Sequence, residues 1–74
     1  MFLVRLPVVS GKELIKVLTK HFGFRVLRQK GSHVTLTNDA SFITMPLHPE
    51  LDKGTLLAIL IDARIERGDF MKYI

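Results

Sequence analysis

Apolar residues recur along this chain in two rhythms. Leu14, Val17 and Leu18, continued by Phe22, follow the three-to-four spacing of one helix face, which predicts a helix over 11–22. Ser10-Gly11-Lys12-Glu13 stands in front of it and matches a capping box, in which hydroxyl and carboxylate satisfy each other's backbone amides. Gly23 is a natural stop. The rhythm then shortens to two. Phe24 to Lys30 is rich in β-formers, Gly31 punctuates it, and Val34 and Leu36 alternate with His33, Thr35 and Thr37. Asn38-Asp39-Ala40-Ser41 is turn chemistry, and Phe42 to Met45 forms a third strand ended by Pro46. The helical rhythm returns in Leu56, Ile59, Leu60 and Ala63, with Leu57 and Ile61 widening the stripe. This second helix starts at Asp52 or Lys53 and carries Arg64 in its last turn. Gly68 separates it from Asp69 to Ile74, read as one last helical turn capped by Asp69. Met1 to Val9 is an extended lead-in containing Pro7.

The order is helix, three strands, helix. Short connections favour an antiparallel meander, and two helices on one face of a three-stranded sheet make a two-layer α+β domain. The other face is left open to solvent or a partner. Seventy-four residues suffice for a single domain, 1–74, with a thin core, since a chain of this size buries only roughly 60% of its unfolded surface. Arg5 and Pro7 interrupt Phe2-Leu3-Val4 and no small-residue cleavage site follows, so the expectation is a short lead-in and not a signal peptide. The longest apolar run, Leu56 to Ile61, is too short to span a bilayer. No cysteine is present, which excludes disulfides and thiolate zinc sites and suits a reducing cytoplasm.

Charge narrows the partners. Eleven Lys and Arg against seven Asp and Glu leave a formal net charge of +4. Such a balance favours an anionic partner, whether nucleic acid, an acidic protein or an acidic membrane surface. Lys12, Lys16, Lys20, Arg25, Arg28 and Lys30 come close together, opposed only by Glu13. The first three lie four apart on one helix stripe, where a solvated face is the ordinary reading.

One segment, Arg28-Gln29-Lys30-Gly31-Ser32-His33, combines these charges with a titratable group. If Val34 and Leu36 point inward, His33 and Thr35 point to the open face. An imidazole titrates near neutrality and suits general acid–base work at cellular pH. Arg28 and Lys30 could hold a phosphate beside it, and Gly31 lets the backbone approach a ligand closely. For RNA, a base would take the 2′-hydroxyl proton, cations would stabilise charge on the phosphate, and an acid would protonate the leaving oxygen. The ordinary alternative is a surface histidine beside a turn. Whether Arg28 points to the His33 face depends on strand pairing.

Three stretches together resemble the HicA (YcfA-like) family of messenger-RNA interferase toxins. Ser10 to Leu18 resembles the family's opening helix. Gly23 to His33 resembles its glycine–phenylalanine turn and Gly-Ser-His motif. Pro46 to Leu56 resembles its Pro-x-His stretch and the Lys-Gly-Thr-Leu start of the second helix. The resemblance implies a double-stranded-RNA-binding-domain-like fold of order α-β-β-β-α. It implies RNA cleavage needing no metal or other cofactor, with His33 as the catalytic residue. It also implies a cognate HicB-type antitoxin that binds the toxin and obstructs its RNA site.

The remaining candidates divide as follows. His48 matches the Pro-x-His stretch and could contact RNA, supply a second proton-transfer group or order its loop by a hydrogen bond. Ser32 lacks a Ser-His-Asp constellation and more naturally shapes the turn, and it is counted with Arg28, Lys30 and Gly31 among the residues expected to bind RNA. Lys53 and Gly54 could present backbone amides to a phosphate at the second helix's start. Phe42 and Tyr73 could stack on bases, but core packing for Phe42 and tail anchoring for Tyr73 are the stronger expectations. His21 ends the first helix and receives no functional role. No two histidines share an element at metal-ligand spacing. The rival to a toxin ribonuclease is a non-catalytic module that docks double-stranded RNA by shape, and a third possibility is a basic face serving an acidic protein.

Overall fold

The computed structural model describes residues 6–74. The part of the expected extended lead-in that falls on residues 1–5 lies outside the described residues. The element order is α1 (Gly11–His21), β1 (Arg25–Lys30), β2 (His33–Thr37), β3 (Phe42–Pro46), α2 (Lys53–Ala63) and α3 (Arg67–Met71). The strands form an antiparallel sheet of order β1-β2-β3. The α-β-β-β-α order and the two-layer α+β class expected of a double-stranded-RNA-binding-domain-like fold are present, with a short third helix appended.

Local chemistry sets each boundary. The Ser10 hydroxyl accepts from the Glu13 amide at 3.0 Å, and the Glu13 carboxylate accepts from the Ser10 amide at 2.8 Å, so the capping box closes. At the other end Gly23 adopts φ +72, a left-handed turn that lets the Phe24 amide reach the Leu18 carbonyl and drops the Phe24 ring into the core. Asp52 caps α2, accepting from the Thr55 amide at 2.7 Å. Its carboxyl sits below its ordinary range because of that backbone hydrogen bond, with smaller contributions from the Thr55 side chain and the charge of His48. Arg64 ends α2 in a left-handed conformation with φ 59.

One core joins the layers. Val34 and Leu36 from β2 and Ile43 and Met45 from β3 meet Leu14, Val17 and Leu18 of α1 and Leu56, Ile59 and Leu60 of α2. The inward residues of β2 and β3 are thus those whose alternation predicted it. Two expectations need correction. Ile61 does not widen the buried stripe of α2, because no layer covers that side of the helix and the side chain is exposed. The last helical turn begins earlier than expected: α3 starts at Arg67, and Gly68 and Asp69 lie in its first turn instead of preceding it. Burial decides this, since the earlier start carries Phe70 into the core, fully buried. Phe22 and His21 then pack on Tyr73, the latter stacked at 4.0 Å between ring centroids.

Candidate functional site

The site is built from strand parity. On β2, Val34 and Leu36 are buried, so His33 and Thr35 project from the opposite, uncovered face. On β3, burial of Ile43 and Met45 sends Phe42 and Thr44 the same way. Thr35 and Thr44 are paired in register, and their hydroxyls lie 3.2 Å apart. They form a small polar floor in the middle of the open face.

β1 reaches the same face only through an irregularity. Val26 pairs with the buried Leu36, which gives it inward parity, and Phe24, two residues earlier, is buried. In a regular strand Arg28 and Lys30 would share that parity and point away from His33. The register shifts between Val26 and Arg28, leaving Leu27 as an extra residue, and the next pairs are Arg28 with Thr35 and Lys30 with His33. A β-bulge of this kind inserts one residue and reverses the alternation that follows. Arg28 and Lys30 are thereby delivered to the face of His33. Residues directly opposed in an antiparallel pair have Cα atoms about 4.5–5.5 Å apart, so Lys30 is the immediate cross-strand neighbour of His33.

The turn between β1 and β2 holds this pairing. Gly31 has φ +59 and occupies the first central position of a two-residue connection, as a type II′ hairpin requires. Its carbonyl accepts from the Gln29 amide side chain at 3.1 Å. The Ser32 carbonyl accepts from the Leu47 amide at 2.7 Å, tying the turn to the end of β3. Gly31 and Ser32 thus shape the rim of the site with their backbones.

Arg28, Lys30, His33, Thr35 and Thr44 together line a concavity of about 330 Å³. Both cations are exposed, and neither belongs to an ion pair among the described residues. The next cation along β1 is different. Arg25 gives two hydrogen bonds to the Asp39 carboxylate, at 2.8 and 3.1 Å. This pairing holds Asp39 below the usual carboxylate range and raises Arg25 above its ordinary value. The concavity can therefore receive an anion, and its imidazole stands where that anion would sit.

His48 and Lys53 stand elsewhere. Neither lines the concavity, and both side chains are exposed. The His48 carbonyl accepts from the Gly11 amide at 3.0 Å, and its side chain exerts its charge on Asp52. At the start of α2 the Asp52 carboxylate already holds one of the free amides, next to Lys53. Lys12, Lys16 and Lys20 are exposed on α1, in the layer covering the other side of the sheet. No group of three or more His, Cys, Asp or Glu side chains gathers among the described residues.

Three features escaped the sequence reading. Thr35 and Thr44 were not paired from sequence, because register depends on both turns. The bulge leaves no composition signal in Val26-Leu27-Arg28. Phe42, expected in the core, is 67% exposed on the open face. The alternation of Phe42 and Thr44 with Ile43 and Met45 carried that information, since the sheet has room inward for only one of the two pairs.

Fold and face together define a small two-layer α+β domain whose uncovered sheet presents a histidine beside two cations. The family model described as "HicA toxin of bacterial toxin-antitoxin" matches residues 11–65. The chain belongs to the HicA toxin family, and with it to the toxin side of toxin–antitoxin systems. Comparison with curated proteins and with solved structures finds no match. No helix among the described residues is long and apolar enough to cross a membrane.

Proposed function

We propose that this chain is the toxin of a type II toxin–antitoxin pair and acts as an endoribonuclease on messenger RNA in the cytoplasm, with His33 as its acid–base group. The observation that carries the reading is the convergence of His33, Lys30 and Arg28 in one concavity of the open sheet face. An imidazole nitrogen of His33 takes the proton of a 2′-hydroxyl. The 2′-oxygen attacks the adjacent phosphorus, forming a new P–O bond. Arg28 and Lys30 hold the phosphate oxygens while charge grows on them. The bond to the 5′-oxygen breaks, and that oxygen takes up a proton. The products are a 2′,3′-cyclic phosphate and a 5′-hydroxyl, and no step is routed through a metal ion.

Nucleophile and leaving group lie on opposite sides of phosphorus in an in-line displacement. One imidazole therefore serves only one of them in a concerted step, and water or a second side chain serves the other. A HicB-type antitoxin would silence the protein by covering the same face, where Gly31 and Ser32 form the rim.

The test is cleavage of a labelled messenger RNA by wild-type and His33→Ala protein in excess EDTA. General acid–base catalysis contributes about 10²–10⁴-fold, and a loss of that size is expected in a variant that keeps its circular-dichroism spectrum. Absence of cleavage by either protein, with equal RNA binding, would favour a non-catalytic RNA-binding module. Cleavage by His33→Ala at the wild-type rate would remove His33 from the chemistry.

A further inference from the structure

The open face is not uniform along the strands. One row, Lys30 opposite His33, and the next, Arg28 opposite Thr35 and Thr44, carry cations outside any ion pair among the described residues. The third row is Arg25, Thr37 and Phe42. Its cation is neutralised by the two hydrogen bonds to Asp39. Its threonine is buried, with the hydroxyl donating to the Ser41 carbonyl and accepting from the Asp39 amide. What remains accessible there is the Phe42 ring, 67% exposed and in no aromatic pair among the described residues. Phe42 lies two residues before Thr44 on the same face of β3, about 7 Å along the strand, and across β2 from the cations of β1. The face thus passes from charge on β1 to an exposed aromatic at the start of β3.

We propose that Phe42 is a stacking platform for an unpaired nucleobase of the strand whose phosphate is held by Arg28, Lys30 and His33, so that this face takes single-stranded RNA. The proposal rests on the RNA-site reading given above. A ring outside the core that shares its face with unpaired cations fits a ligand that is anionic at one point and flat and apolar at another. A nucleotide has both properties, and every base offers a π-face, so the platform sets strandedness more than sequence. In a duplex the bases are stacked inside and present only edges, leaving Phe42 without a partner.

The experiment measures binding of the full-length protein to a fluorescent 2′-O-methyl oligoribonucleotide, which lacks the attacking hydroxyl and is not cleaved. Base stacking on an aromatic is worth about 1–3 kcal/mol, or roughly five- to 150-fold in affinity. Phe42→Leu is expected to weaken binding to the unpaired oligonucleotide within that range, while Phe42→Trp retains it. A probe carrying the same phosphates with successive abasic positions is expected to bind wild type and Phe42→Leu equally. Wild type is expected to bind the unpaired strand at least tenfold more tightly than the duplex of the same sequence. Phe42→Leu with unchanged affinity, alongside a Lys30→Ala variant that loses affinity, would overturn the stacking proposal and leave the RNA-site reading intact. Equal or tighter duplex binding would overturn it as well. A Phe42→Leu defect confined to antitoxin binding would reassign the ring to a protein contact and overturn it too. No RNA binding by any variant would remove the RNA-site reading itself, and the stacking proposal with it.

Discussion

Gly31 is where one residue's backbone decides the geometry of the site. Its φ of +59 lies in the left-handed region, and a Cβ there would meet no atom within 4 Å. Any cost of a side chain is therefore backbone strain and not a clash. A non-glycine residue held in such a sparsely populated positive-φ conformation costs about 1–3 kcal/mol. Gly31→Ala is expected to lower unfolding free energy by that amount in urea titration. The same substitution biases the turn away from the geometry that sets Lys30 opposite His33, so cleavage is expected to fall more than the stability loss explains. An activity equal to wild type in the folded variant would show that the pairing tolerates a different turn.

At the scale of elements, the start of α2 links charge to stability. The Asp52 carboxyl is held below its ordinary value of 3.8, chiefly by the Thr55 amide. The unfolded chain binds that proton more readily, so the cap contributes stability above the unfolded pKa. The contribution is lost as pH falls through the lower folded value. Asp52→Asn keeps an acceptor for the amide and removes the titration. Its melting temperature is expected to lie close to wild type near neutrality and to fall less steeply below about pH 4, as read by thermal scans across that range. A profile parallel to wild type would mean that Asp52 titrates alike in both states. The element β1 shows how much was legible. Its existence followed from β-forming residues between two glycines, but strict alternation would have turned Phe24, Val26, Arg28 and Lys30 to one face. Only the bulge at Leu27 reconciles a buried Phe24 with outward cations. A bulge and outward charges also blunt an otherwise open sheet edge.

For the whole molecule, the basic residues that crowd together in the first half of the chain do not form one surface. Lys12, Lys16 and Lys20 belong to the helix layer, whereas Arg28 and Lys30 belong to the open sheet face. Replacing either Arg28 or Lys30 by Ala is expected to weaken RNA binding and lower the slope of log affinity against log salt by about one. Replacing the three α1 lysines together by Gln is expected to change that slope by less than either. The reverse result would move the RNA to the helix side. The sequence alone determined the helix and strand order, the capping box of α1, the turns at Gly23 and Gly31 and the inward residues of β2 and β3. Each of these depends on neighbours a few residues apart, through side-chain periodicity, backbone hydrogen bonds or allowed φ. The motif around His33 was visible for the same reason. Tertiary structure decided what depends on pairing: the register that sets Thr35 against Thr44, the bulge that turns Arg28 and Lys30 toward His33, and the exposure of Phe42. A one-residue change in register sends every later side chain to the opposite face, and no local signal in Val26-Leu27-Arg28 records which register the sheet adopts.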